Sequence, residues 1–328
     1  MTVKHNKRNR ILFSRFKTAS LFLMLSLMFT LAGCGRGKAQ QQQASDQVTE
    51  EASSVQEASA ETAKTSIVQE SPSAAPAGEN GLQAVFLKVG KADAIIVRCG
   101  EETMVIDCGE EEDGQEVLDY LAGQGIQKVR VLLITHFDKD HVGGADTVIK
   151  GIQTDRVLQP AYEGVSKAYT EFEKALAEEE VTPENVTDTL YFDLGAASVK
   201  VQPPASYEIP QGSDEYDNDF SLITTLEYGG RRFLFAGDIE EKRIREWLAQ
   251  GSIPPCDVLK VPHHGVYNSA LEELFQELSP RYAVICDSKK NPADSRTMEL
   301  LDKYGAACLE TKDGDITILS DGEDLRIQ

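Results

Sequence analysis

Val131-Leu132-Leu133-Ile134-Thr135-His136-Phe137-Asp138-Lys139-Asp140-His141-Val142-Gly143-Gly144 changes character at its midpoint. The four apolar residues read as a buried strand, so the two histidines and two aspartates that follow sit on the loop leaving its end. A packed strand is a rigid support, and the two glycines predict a sharp backbone turn towards whatever those side chains hold. Imidazole and carboxylate at this density are the ingredients of a metal site. A solvated acidic turn with two incidental histidines would give the same local composition. With only five histidines in the chain, that is the weaker reading.

Three other points repeat the pattern of polar residues ending an apolar strand. They are Asp107 after Met104-Val105-Ile106, Asp238 after Phe233-Leu234-Phe235-Ala236-Gly237, and His263-His264 after Val258-Leu259-Lys260-Val261-Pro262. Four of the five histidines fall in these clusters; the fifth is His5, near the N-terminus. Strand ends on one rim of a sheet pair converge on a single site.

Between these points, strands joined by hairpins alternate with helical patterns. Strands are expected over Val85–Val89, Ala94–Cys99 and Thr103–Asp107, and a single strand over Lys128–Ile134. The stretch Val181–Val186 reads as loop, and Gly212–Asp219 as a polar, acidic loop. A hairpin through Gly229-Gly230 carries Asp238 at its far end. Two packed sheets with helices outside fit this order better than a doubly wound parallel sheet.

These residues resemble the metallo-β-lactamase fold, whose signature is HxHxDH after a strand, then a strand-end aspartate and a late histidine. Here the pattern is His136-x-Asp138-x-Asp140-His141, Gly237-Asp238 and His263-His264-Gly265. Aspartate in the second position, with Asn218-x-x-Ser221-Leu222 and Leu259-Lys260-Val261-Pro262-His263-His264-Gly265, is similar to one branch. That branch is the extracellular hydrolase domain of ComEC-type DNA-internalisation proteins and its free-standing relatives. The resemblance implies an α/β fold, an αββα four-layer sandwich, over residues 82–328.

It also implies two divalent metal ions, manganese or zinc. His136 and Asp138 would hold one ion; Asp140, His141 and one histidine of the 263–264 pair would hold the other, with Asp238 bridging. His263 is favoured over His264 as the ligand, and Asp107 is expected to orient one. Asp140 or Asp238 would orient an attacking water. Lys260 could stabilise an oxyanion, although a lysine at a strand end reads slightly better as a solvated charge. The chain departs from the pattern in three places: no histidine lies between 141 and 263, Val266 stands where a serine often follows HHG, and a late Gly-His-Pro is replaced by Asn291-Pro292-Ala293. The first ion is thereby left with a thin ligand set.

The N-terminus carries Lys4, Lys7, Arg8, Arg10, Arg15 and Lys17 with no acidic residue, then an apolar run from Ala19 to Ala32. This reads as a secretory signal over residues 1–33. Leu31-Ala32-Gly33-Cys34 resembles the lipobox of bacterial lipoproteins, which implies a lipid on Cys34 and tethering to the outer face of the plasma membrane. Residues 34–81 are rich in Gln, Ser, Ala, Glu and Thr, too polar to offset their chain entropy, and are expected to be a disordered tether. Loss of the six basic residues of the signal would take the net charge from −21 to −27. Such a charge repels polyanions at long range. The remaining cysteines (Cys99, Cys108, Cys256, Cys286, Cys308) show no CxxC spacing and read as buried small hydrophobes.

The leading expectation is an exported, membrane-tethered, metal-dependent hydrolase of a phosphoester, with DNA the substrate the branch suggests and no protein partner inferable. A small or surface-bound phosphodiester is the rival that the charge favours. The same residues are also compatible with a β-lactam or thioester hydrolase on this fold, and with a non-catalytic metal-binding lipoprotein.

Overall fold

The computed structural model describes residues 81–208, 216–251 and 253–328. The signal segment, Cys34 and the tether up to residue 80 lie outside the described residues, as do residues 209–215 of the acidic loop.

The first half of the domain runs β1 (Leu82–Phe86), β2 (Ala94–Cys99), β3 (Glu102–Cys108), α1 (Asp113–Gly123), β4 (Lys128–Val129), β5 (Val131–Leu133), α2 (Lys139–Val142), α3 (Ala145–Gly151), β6 (Gln153–Thr154), β7 (Val157–Pro160), α4 (Lys167–Glu178) and β8 (Glu184–Val186). The second half runs β9 (Leu190–Leu194), β10 (Ala197–Gln202), β11 (Ile223–Tyr228), β12 (Arg231–Phe235), α5 (Glu241–Ala249), β13 (Val258–Lys260), α6 (Leu271–Leu278), β14 (Tyr282–Ile285), α7 (Ser295–Lys303), β15 (Ala307–Glu310), β16 (Ile316–Ser320) and β17 (Leu325–Ile327).

One sheet has the order β17-β16-β1-β2-β3-β5-β7-β8 and the other β15-β14-β13-β12-β11-β10-β9. Their facing sides interdigitate in a core that includes Phe86, Val97, Ile106, Val199, Leu226 and Phe233. Phe86 and Phe235 meet across it with ring centroids 6.1 Å apart. Burying a side chain of that size contributes roughly 1.5–3 kcal/mol. The outer side of the first sheet is covered by Val117, Leu121, Val148 and Phe172 from α1, α3 and α4. The outer side of the second is covered by Ile244, Trp247, Leu274 and Leu301 from α5, α6 and α7. Helices, sheet, sheet, helices: the αββα sandwich expected from the sequence is the fold observed.

Helix starts follow their caps. Ser166 accepts from Tyr169 N and starts α4, and Asp294 accepts from Arg296 N and starts α7. Three expected elements differ. The strand expected at 85–89 lies at 82–86, since it pairs with β16 from Leu82↔Ser320 to Phe86↔Ile316. The run 128–134 breaks at Arg130: β4 leaves the main sheet to pair with β6, and only β5 pairs with β3. The segment read as loop at 181–186 contains β8, an edge strand paired in parallel with β7. Its first two residues are exposed, so it shows no apolar alternation, and only the partner strand defines it. Among the described residues the five cysteines are free, four buried and Cys308 partly so.

Strands β3, β5 and β7 run parallel in one sheet and β12, β13, β14 and β15 in the other. The carboxyl ends of β3 and β5 carry Asp107 and the 136–141 loop, and those of β12 and β13 carry Asp238 and the histidine pair. In α/β sheets such ends are where ligands bind.

Candidate metal centre

The site begins with a backbone distortion. Asp107 ends β3 with φ of 58°, and His263 and His264 have φ of 46° and 50°. Non-glycine residues rarely adopt this left-handed region, and such strain gathers at functional sites. In parallel register Ile106 faces Leu133, which places Asp107 beside the start of the loop after β5. Asp107 Oδ1 accepts from Thr135 N at 2.8 Å, and Oδ2 accepts from Thr135 Oγ1 at 2.7 Å. The same Oδ2 accepts from His141 Nδ1 at 2.9 Å. A carboxylate only accepts, so His141 carries its proton on Nδ1 and turns Nε2 inward.

The other two inner histidines are set in the same way. His264 Nδ1 donates to Cys286 O at 2.8 Å. His136 Nδ1 lies 3.0 Å from Thr135 Oγ1, whose own proton is already given to Asp107, so His136 donates there. Ser221 Oγ is 3.3 Å from the same nitrogen and accepts from Asp238 N at 3.1 Å, joining the two sheets. As a result His136, His141 and His264 each have a buried Nε2 without a hydrogen-bond partner.

These nitrogens converge on carboxylates. Asp238 Oδ2 is 3.2 Å from His141 Nε2 and 3.1 Å from His264 Nε2. Asp140 Oδ2 is 3.5 Å from His264 Nε2, and Asp138 Oδ2 is 3.7 Å from His136 Nε2. Ligand atoms of His136, His141 and Asp238, and separately of Asp140, His141 and His264, lie within 4.8 Å of one another.

The electrostatics are those of a cation site. Burial opposes charge on His141, but Asp238 and Asp107 outweigh it and hold its pKa well above the ordinary value. His264 is raised in the same way, against burial, by Asp238 and Asp140. Burial works against ionised Asp238 too, yet His141, His264 and Lys260 drive its pKa well below the carboxylate range. Asp138 is lowered chiefly by its contact with His136. Asp93, Asp107 and Asp238 are buried around His141, His264 and Lys260. Three buried Nε2 atoms that lack hydrogen-bond partners and face carboxylates fit a metal.

Several expectations change here. The preference for His263 is reversed: His263 Nδ1 pairs with Glu240 Oε1 at 3.0 Å at the rim, whereas His264 faces the cluster. An extended strand would send one histidine of the pair each way, and two successive left-handed residues after Pro262 decide which. Lys260 is neither a solvated charge nor an open oxyanion donor; it is fully buried against Asp93 and Asp238. Gly143 and Gly144 form the expected turn, between α2 and α3, but with angles open to any residue; what requires glycine there is close approach. A Cβ on Gly143 would sit 2.6 Å from the Glu110 carbonyl carbon, and one on Gly144 2.5 Å from Gly114 N.

Asp93 was not apparent from the sequence. It is buried, contacts Lys260, and its N donates to Asp140 O at 3.0 Å. Its only signal is a lone acid opening the apolar run of β2. Because β2 is antiparallel to β3, that start lies beside the end carrying Asp107. Glu240 was likewise missed, being the first polar residue beyond the Asp238 turn; it also accepts from Asn218 Nδ2 at 3.1 Å.

Comparison with known proteins agrees with this architecture. Residues 87–206 match the family model of the metallo-beta-lactamase superfamily. A metallo-beta-lactamase fold protein, YhfI from Bacillus subtilis, superposes with a TM-score of 0.51 over 73% of this chain and all of its own, at 8% identity. The domain has the metallo-β-lactamase fold. A second such structure, Tm1679, described as a metal-dependent hydrolase of the beta-lactamase superfamily, gives a TM-score of 0.50 over 74% of this chain and all of its own, at 14% identity. Among curated proteins, ComE operon protein 3 of Bacillus subtilis is 30% identical over 209 residues, 60% of this chain. Recombination protein 2 of Haemophilus influenzae is 26% identical over 237 residues, 70% of this chain. The matched stretches are 25% and 27% of those two proteins, so this metallo-β-lactamase-fold chain corresponds to about a quarter of each.

Proposed function

We propose that the domain is a metal-dependent hydrolase of phosphodiesters, holding two divalent ions, manganese or zinc. The observation that carries this reading is the convergence of His141 Nε2 and His264 Nε2 on Asp238 Oδ2, with His136 Nε2 facing Asp138 Oδ2 and all three nitrogens buried without a hydrogen-bond partner. Asp140, His141, His264 and Asp238 would hold one ion, and His136, Asp138 and Asp238 the other. A mixed imidazole and carboxylate set suits either metal. Such a cation polarises a phosphoryl oxygen and lowers the pKa of coordinated water.

The chain's own residues supply the rest. Asp107 and Cys286 O hold two of the rings in place, so their Nε2 atoms are oriented before anything binds. Asp140 and Asp138 are partly exposed and would orient an attacking water by accepting its hydrogen bond. His263, paired with Glu240 at the rim, would be the imidazole available to a leaving group.

The two curated relatives, and the resemblance to the DNA-internalisation branch, favour a nucleic acid as substrate. The charge of the chain favours a smaller or surface-bound phosphodiester. Export and a lipid on Cys34 belong to the same proposal and put the site outside the plasma membrane. The test is to purify the full chain in mild detergent, supply manganese or zinc, and assay single-stranded DNA beside a chromogenic phosphodiester. Turnover of either supports the reading. Metal bound without turnover of either sinks it, and hydrolysis of a chromogenic cephalosporin or an acyl thioester would replace it.

A further inference from the structure

We propose that Lys260 is a positioning residue that fixes which oxygen of Asp238 faces the metal centre. The inference rests on the metal-centre reading and adds a role that reading does not need.

Lys260 ends β13 and is fully buried. Burying an ammonium is costly unless its donors are all engaged. They are: Lys260 contacts Asp93 Oδ2, Gly237 O at 3.1 Å and Asp238 Oδ1 at 3.1 Å. Three donors meet three acceptors, which leaves none for a substrate. What the lysine does control is Asp238. Oδ1 is held from below, so Oδ2 alone is presented to His141 and His264. The Asp238 backbone is fixed as well, because its N–H donates to Ser221 Oγ. Parallel register, with Phe235 facing Lys260, brings the ammonium under the Gly237-Asp238 turn.

Charge and position predict opposite outcomes when this lysine is removed. By charge alone, a more negative cluster would bind a cation more tightly. By position, Asp238 is freed to rotate, both oxygens become available, and binding weakens.

The experiment compares the full-length wild type, K260M, D93N and D93N/K260M in detergent. Metal content and affinity are read by competition with a chromophoric chelator, and the cobalt-substituted proteins by visible absorption. D93N/K260M removes both members of the buried pair, so it separates the hold on Asp238 from simple neutralisation of Asp93. The expected result is a folded double variant with affinity about 10–100-fold lower, the usual scale for losing a residue that orients a ligand. Its cobalt spectrum should be altered, and D93N alone should lose clearly less affinity than K260M. Unchanged or tighter binding in the double variant overturns the proposal. So does a loss in D93N as large as that in K260M, a comparison that stands even where the double variant does not fold. A wild-type chain that takes up no metal overturns the metal-centre reading and this one with it, and is distinguished by being seen before any substitution.

Discussion

Asp107 Oδ2 receives His141 Nδ1 at 2.9 Å while both of its oxygens also hold Thr135. One carboxylate therefore sets the His141 ring and the entry to the loop that also carries His136, Asp138 and Asp140. D107N, which weakens this hold without emptying the space, should lower metal affinity about 10–100-fold. Chelator competition measures it, and affinity unchanged from wild type would mean that packing alone orients His141.

Metal binding should strengthen as pH rises. The carboxylates raise the pKa values of His141 and His264, so the empty site holds protons that a cation must displace. Calorimetry in two buffers of different ionisation enthalpy counts them; at least one proton should be released per binding event near neutral pH.

The two adjacent histidines should separate cleanly. H264A removes a buried ring whose Nε2 faces Asp238 and Asp140, and metal content should fall to a small fraction of wild type. H263A acts at the rim on Glu240, and metal content should be retained. Elemental analysis of both variants, purified without chelator, decides this.

G144A places a methyl against the backbone of α1, 2.5 Å from Gly114 N. Backbone cannot give way as a side-chain tip does, so the loss should be at least the roughly 1–3 kcal/mol typical of overpacking. Thermal unfolding reads it, and an unshifted Tm would show that α1 is free to move away.

D113N should stabilise the fold in neutral solution. Burial pushes the Asp113 carboxyl up from 3.8 to about 6, helped by Glu116, Glu112 and Glu110 and opposed by the Glu110 N–H that it accepts. The folded state therefore keeps a proton that the unfolded chain releases, and stability falls as pH climbs from about 4 to about 6. Asparagine keeps the acceptor and avoids that fall. Tm of D113N should exceed wild type at pH 7–8 and converge on it near pH 4.

The sequence by itself determined the αββα architecture and the identity of most groups at the site. Apolar runs ending in Asp107, His136–His141, Asp238 and His263-His264 are a local pattern, and burial of such runs allows few arrangements. Tertiary structure alone decided how those groups are used. The choice between His263 and His264 rests on two left-handed residues that alternation does not encode. Asp93 enters only because β2 is antiparallel to β3, which brings the residue just before β2 to the rim where β3 ends. Lys260 is a surface-type residue in sequence, and it becomes a buried side chain only where Asp93 and Asp238, from different sheets, meet beneath the candidate metal centre. Strand composition is local and readable, whereas the pairing of charges between sheets exists only after the sheets have packed.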